Sequence, residues 1–186
     1  MRVGGGEAKG RRLRGTLSPR ARPTTERVRA AIFNVLPPEV YQGVRVLDLY
    51  AGSGSLGIEA LSRGAAWADF VERNHRQCAV IEANLAATGC GHKARVHWAD
   101  VVQSLTRLAG PYHLVLLDPP YRQQNLGAVL EKLASVDGLV AEAGVVVAGH
   151  SKHLELLPGY GPLALRRHRR YGDNVVDFFQ WGGEGW

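Results

Sequence analysis

Arg45-Val46-Leu47-Asp48-Leu49-Tyr50-Ala51-Gly52-Ser53-Gly54-Ser55-Leu56-Gly57 joins a short apolar run to a glycine-rich turn. The run has the length and composition of a buried strand, and the helical pattern Leu56 to Arg63 follows at once. A strand, a tight turn and a helix start in this order put backbone N–H groups of the helix N-terminus beside the turn, where a ligand can be met. Gly52, Gly54 and Gly57 also satisfy G-x-G-x-x-G. Alone, that spacing is a weak signal.

Four further apolar runs extend the pattern: Ala68 to Glu72, Ala94 to Trp98, Leu114 to Asp118 and Gly144 to Ala148. Helical stretches His75 to Ala87, Val101 to Leu108 and Leu126 to Val136 lie between them, with Gly64, Gly89, Gly110 and Gly138 near helix ends. Such alternation predicts βα units on a largely parallel sheet. Leu163 to Trp181 lacks a crossover helix and reads as an antiparallel hairpin turning at Gly172-Asp173. The fold expected is α/β and Rossmann-like: a seven-stranded, mainly parallel sheet with an antiparallel last hairpin, flanked by helices. Ahead of it, Thr24 is the expected cap of a helix carrying Val28, Ala31, Ile32 and Val35 on one stripe until Pro37-Pro38. Residues 1–23, rich in Gly and Arg, are expected to be a mobile arm or loosely packed hairpin, and 24–186 a single domain.

At 186 residues, 45% hydrophobic and 22% charged, the composition excludes a disordered or fibrous chain. There is neither a bilayer-length apolar run nor a secretory h-region, so a cytoplasmic protein without membrane contact is expected. Cys78 and Cys90 lack metal-ligand spacing and read as reduced and structural, with no metal expected. Two clusters hold much of the +6 charge: Lys9, Arg11, Arg12, Arg14, Arg20, Arg22, Arg27 and Arg29, then Arg166, Arg167, His168, Arg169 and Arg170. Each suits a phosphate backbone, and each is also compatible with a solvated surface.

Three acids fall at carboxyl ends of strands, where open α/β sheets bind ligands. Glu72 suits ribose hydroxyls; Asp100 suits an adenine amine, with Val101 to pack the ring, or simply a helix cap. Asp48 suits an ammonium or loop amides and would repel a pyrophosphate, which favours S-adenosylmethionine over NAD. Asp118-Pro119-Pro120-Tyr121 closes the fourth strand. An exocyclic amine of a nucleobase is a poor nucleophile, and methylation needs it held in line with acceptors around its developing charge. Asp118 and the Pro119 carbonyl are candidate acceptors, the prolines stiffen the loop, and Tyr121 can stack on a base.

Together with Arg2-Val3, Gly6, Lys9-Gly10-Arg11-Arg12-Leu13, Arg22-Pro23-Thr24-Thr25-Glu26-Arg27-Val28-Arg29 and Tyr171-Gly172-Asp173, these segments resemble the RsmD family of bacterial 16S rRNA guanine-N2 methyltransferases, over nearly the whole chain. The resemblance implies a class I methyltransferase fold and S-adenosylmethionine held by Asp48, Tyr50, Ala51, Gly52, Ser53, Gly54, Glu72, Arg73, Asp100 and Val101. It implies a guanine held by Asp118 to Tyr121. RNA would meet Lys9, Arg11, Arg12, Arg22, Thr24, Arg27 and Arg29, the partner being 16S rRNA or a small-subunit assembly intermediate and the enzyme a monomer. Two positions depart from the family pattern: Gly149, where an acid is expected, and Tyr50, where phenylalanine is common. Competing readings are a DNA adenine or cytosine amino methyltransferase, a protein glutamine methyltransferase, an NAD oxidoreductase, and an RNA-binding assembly factor without catalysis.

Overall fold

The structure is a computed structural model that describes residues 1–17 and 25–186; Arg22 and Thr24, both expected to meet RNA, lie outside the described residues. Among the described residues eight strands form one sheet: β1 (Arg45–Leu49), β2 (Trp67–Glu72), β3 (Ala94–Trp98), β4 (Tyr112–Leu117), β5 (Val140–Ser151), β6 (Gly159–Tyr160), β7 (Leu163–Tyr171) and β8 (Asn174–Trp181). Their order is β3-β2-β1-β4-β5-β8-β7-β6. β1 to β5 run parallel, and β8 turns back antiparallel to β5 before pairing with β7. The expected mainly parallel sheet and last hairpin are both present. The strand beyond the expected seven is the two-residue β6, too short to leave a pattern in sequence. β5 begins four residues before the expected Gly144; its register with β4 is irregular between Val140 and Val145, where Ala143 has φ 59°.

Among the described residues five α-helices cover the sheet: α1 (Glu26–Val35), α2 (Ser55–Ser62), α3 (His75–Thr88), α4 (Val101–Ser104) and α5 (Leu126–Ser135). α4 is half its expected length; Arg107 N and Leu108 N both return to Ser104 O, so the chain turns toward Gly110-Pro111 instead of continuing the helix. The N-cap of α1 is Thr25, not Thr24: Thr25 Oγ1 accepts from Val28 N at 3.2 Å. Apolar faces of α1, α2 and α3 close one side of the sheet, and α4 and α5 the other, leaving two core clusters separated by the strands.

Residues 1–14 form a packed hairpin. Arg2 and Arg12 pair antiparallel, and Val3, Ala8 and Leu13 are buried in the α1-side core. Spaced five residues apart, at 3, 8 and 13, they match neither the period of a strand nor that of a helix, which is why the sequence concealed them. Backbone bonds tie the hairpin to the end of α2: Gly4 N donates to Glu59 Oε2 (2.9 Å), Glu7 N to Ser62 O (2.8 Å) and Ala8 N to Ser62 Oγ (2.9 Å). Gly6 permits this approach, having φ 77° and a backbone that would bring a Cβ within 1.8 Å of Ser62 O. Gly6→Ala is therefore expected to lower stability by about 1–3 kcal/mol, read as a fall in urea midpoint at unchanged m-value.

Candidate active site

Parallel strands bring their carboxyl ends to one edge, so the loops after β1, β2, β3 and β4 face a common crevice. The loop after β1 is bent by left-handed backbone at Tyr50 (φ 57°), Gly52 (φ 58°) and Gly54 (φ 77°), and delivers the chain to the start of α2. Asp48 is 1% exposed and accepts from Gly57 N at 2.9 Å. It thus shapes the loop, the amide-holding role of the two left open by sequence. Burial pushes its carboxyl well above the ordinary range; the Gly57 amide opposes this, and the charges of Asp118 and Glu72 add to it. Gly57 meets the third requirement of such a motif, close helix-to-strand packing: a Cβ there would come within 2.4 Å of the Phe70 ring.

Glu72, half-buried at the end of β2, accepts from Gly52 N (3.0 Å) and Asn74 N (2.9 Å). Each carboxylate oxygen retains acceptor capacity for a ligand hydroxyl. Ala51 and Ser53 are buried in the turn, while Arg73 is exposed beside it. Arg73 O accepts from the Trp98 indole N–H at 2.9 Å, which leaves the Trp98 ring 67% exposed at the crevice rim, an aromatic the sequence reading did not single out. Asp100 caps α4 by accepting from Gln103 N at 3.1 Å, with its carboxyl exposed. Val101 is 4% exposed and shares the core with Leu47 and Leu49, so its side chain lies under the sheet's edge.

Asp118 stands one residue past β4, and its partial burial pushes the carboxyl up to about 7. Opposite it is Gly149 of β5, where an added Cβ would lie 2.9 Å from Asp118 Oδ1. A side chain at 149 would press on that carboxylate, so the departure from an acid leaves Asp118 its space. Pro119, Pro120 and Tyr121 continue into a cavity of about 350 Å3, walled across by His150, Ser151 and Leu154. Its size is that of a small-ligand pocket. Gln123 Nε2 donates to the Tyr50 hydroxyl, linking this loop to the glycine-rich one. Burial raises the Tyr50 phenol, with the Gln123 bond opposing.

The basic hairpin reaches the same crevice through a residue without charge. Asn84 of α3, 1% exposed, accepts from Arg14 N (2.8 Å) and donates to Arg14 O (3.0 Å) and Ser53 O (2.9 Å). The strand leaving the hairpin is thereby fixed over the glycine-rich loop, with Thr16 Cγ2 3.3 Å from where a Cβ on Gly52 would be. Lys9, Arg11, Arg12, Arg14 and Arg27 are exposed. Arg29 is the correction to the RNA set: it is 1% exposed, its Nε lies 3.4 Å from Glu59 Oε2, and an Nη donates to Arg2 O. Burial lowers its pKa, opposed by Glu59. A charge run read along the sequence could not reveal a carboxylate thirty positions away on α2. Among the described residues, no group of three metal-ligating side chains is gathered, and no helix is long and apolar enough to cross a membrane.

A sequence profile of the family described as conserved hypothetical protein 95 matches residues 1–180. Ribosomal RNA small subunit methyltransferase D of Escherichia coli K12 is 34% identical over 95% of this chain and 94% of its own. The chain belongs to the RsmD family. YlbH of Bacillus subtilis, named as a candidate rRNA methyltransferase, is 38% identical over 97% of this chain and 98% of its own. The solved structure of the Escherichia coli protein yhhF superposes with a TM-score of 0.87 at 30% identity, covering 99% of both chains. The class I methyltransferase fold of the RsmD family is thus present from hairpin to last strand, and the glycine-rich loop and Asp-Pro-Pro-Tyr stand in it at one sheet edge.

Proposed function

We propose that this RsmD-family chain methylates the exocyclic N2 amine of a guanine in small-subunit ribosomal RNA, with S-adenosylmethionine as donor, acting as a cytoplasmic monomer on 16S rRNA or a subunit assembly intermediate. The observation that carries the reading is that Asp118 leads directly into the Pro119-Pro120-Tyr121 wall of a cavity, on a loop that Gln123 ties to Tyr50 of the glycine-rich loop.

The residues fit the donor. Gly52 and Gly54 bring backbone close, Glu72 has acceptor capacity for ribose hydroxyls, and Asp100 presents an exposed carboxyl to an adenine amine. Bound there, S-adenosylmethionine supplies an electrophilic methyl group on a sulfonium. Tyr121 stacks on a base swung out of its helix, since a base must leave the stack for chemistry at its amine. Asp118 and the Pro119 carbonyl accept from the amine, orient its lone pair and meet the positive charge that grows on nitrogen. A carboxyl near 7 is also suited to take the amine's proton as the N–C bond forms. Gly149 keeps the space in which Asp118 can do so.

The test is methyl transfer from labelled S-adenosylmethionine to small-subunit rRNA, followed by nucleoside mass spectrometry. N2-methylguanosine is the expected product. A methylated adenosine or cytidine instead, or cofactor binding without turnover on any rRNA, overturns the reading.

A further inference from the structure

The second basic cluster is on β7, at the far side of the sheet from the hairpin. Beyond Leu163 and Ala164, which pair with β6, no described residue pairs with this strand on its outer side, so among the described residues Arg166 to Tyr171 form an open edge. The five basic residues are not equivalent. Arg166 donates to Gly183 O (2.7 Å) and Arg167 to Trp186 O (3.0 Å), with the Arg167 guanidinium over the Trp186 ring; both hold the C-terminal tail. His168 Nδ1 is bonded to buried Asp177. Arg169 and Arg170 remain: both are exposed, bond only to the nearby backbone carbonyls of His168 and Gly172, and form no ion pair among the described residues.

Register places these two arginines at the level of the active site. Arg169 pairs with Val176, which pairs with Gly149, the residue beside Asp118; Arg170 aligns through Val175 with His150 of the pocket wall. Two strand spacings separate β7 from β5, about 10 Å. That distance corresponds to about three stacked nucleotide steps at 3.4 Å each. Asp177, 3% exposed, makes the spacing rigid by accepting from His168 on β7 and from His150 Nε2 (2.8 Å) on β5.

The geometry points to Arg169 and Arg170 as a second phosphate-contact surface, gripping the substrate RNA strand on the side of the target pocket opposite the N-terminal hairpin. This rests on the RNA reading above. Charge complementarity names the occupant: two exposed guanidinium groups, without an ion pair among the described residues, suit a polyanion. The plain alternative is that charge merely guards the edge against pairing with another sheet. Either sign of charge serves that purpose, which separates the two explanations.

The experiment uses the full chain as wild type, Arg169→Glu/Arg170→Glu and Arg169→Lys/Arg170→Lys, with transcribed small-subunit rRNA as probe across a NaCl series. Expected for the Glu pair are rRNA binding weakened on the order of tenfold at low salt, a salt slope smaller by about 1.4–1.8, and unchanged S-adenosylmethionine affinity and melting temperature. The Lys pair should bind within a few-fold of wild type. Equal affinity and slope for the Glu pair and wild type overturn the surface while leaving the RNA reading intact. A defect seen only on protein-containing subunits and not on naked rRNA also overturns it, in favour of a protein contact. Absence of any salt-dependent rRNA binding by the wild type removes both.

Discussion

Asp118→Ala is expected to lower kcat by about 10^2–10^3 on an rRNA substrate while S-adenosylmethionine affinity changes by no more than a few-fold. The magnitude is that of removing one preorganised acceptor from a site where charge develops. Retention of cofactor binding follows from the geometry, since the glycine-rich loop is held by Asp48 and Glu72 and not by Asp118. Asp118→Asn separates two contributions. It keeps a side-chain oxygen to accept from the amine but can neither balance positive charge nor take a proton, so its rate should fall between wild type and Ala. The acidity of Asp118 adds a pH signature. Its carboxyl is pushed up to about 7 by burial, and only the ionised form accepts and counters charge, so kcat/KM should rise with pH and level off above about 7. A bound sulfonium favours the carboxylate, so the inflection in kcat should lie at lower pH than that in kcat/KM. A rate for Asp118→Ala equal to wild type, or a wild-type profile flat from pH 5 to 9, would remove Asp118 from the chemistry.

The parts of the site that were legible in sequence share a property: their function is backbone-local. Asp48 to Gly57 is a strand, turn and helix start in thirteen consecutive residues from Arg45, and Asp118 to Tyr121 is a strand end, so period and residue type suffice to place them. The parallel strands then bring both to one edge, and that too follows from the alternation. Contacts across the fold were not legible. Asn84 is an unremarked polar residue on α3 until the hairpin and the glycine-rich loop both return to it. Gly149 read only as a missing acid; its meaning depends on Asp118 Oδ1 lying opposite. Whether residues 1–14 were an arm or a hairpin was left open because Val3, Ala8 and Leu13, five apart, fit neither a strand nor a helix period, although each is nearly fully buried. Arg29 was misread for the related reason that charge says nothing of burial unless the counter-charge is known.

That counter-charge is the site of the second large effect. Glu59→Ala should destabilise the protein by about 3–5 kcal/mol, the cost typical of leaving a buried ion without its partner. Glu59 is 1% exposed and serves three groups: the Arg29 guanidinium at 3.4 Å, Arg63 Nε at 2.8 Å and the Gly4 amide at 2.9 Å. Removing it strands Arg29 among Val28, Ile32 and Phe33 on the inward side of α1 and frees the start of the hairpin. Because the hairpin carries Lys9, Arg11 and Arg12, loosening it should also weaken rRNA binding, beyond any loss of folded protein, in measurements made well below the melting transition. A double variant distinguishes the causes. Arg29→Leu in the Glu59→Ala background eliminates the unpaired charge and should recover much of the stability. It cannot restore the Gly4 bond, so RNA affinity should stay low while the melting temperature rises. Full recovery of both would mean that Glu59 serves only to neutralise Arg29; recovery of neither would mean that the hairpin anchor, not the buried pair, dominates the energetics of this corner.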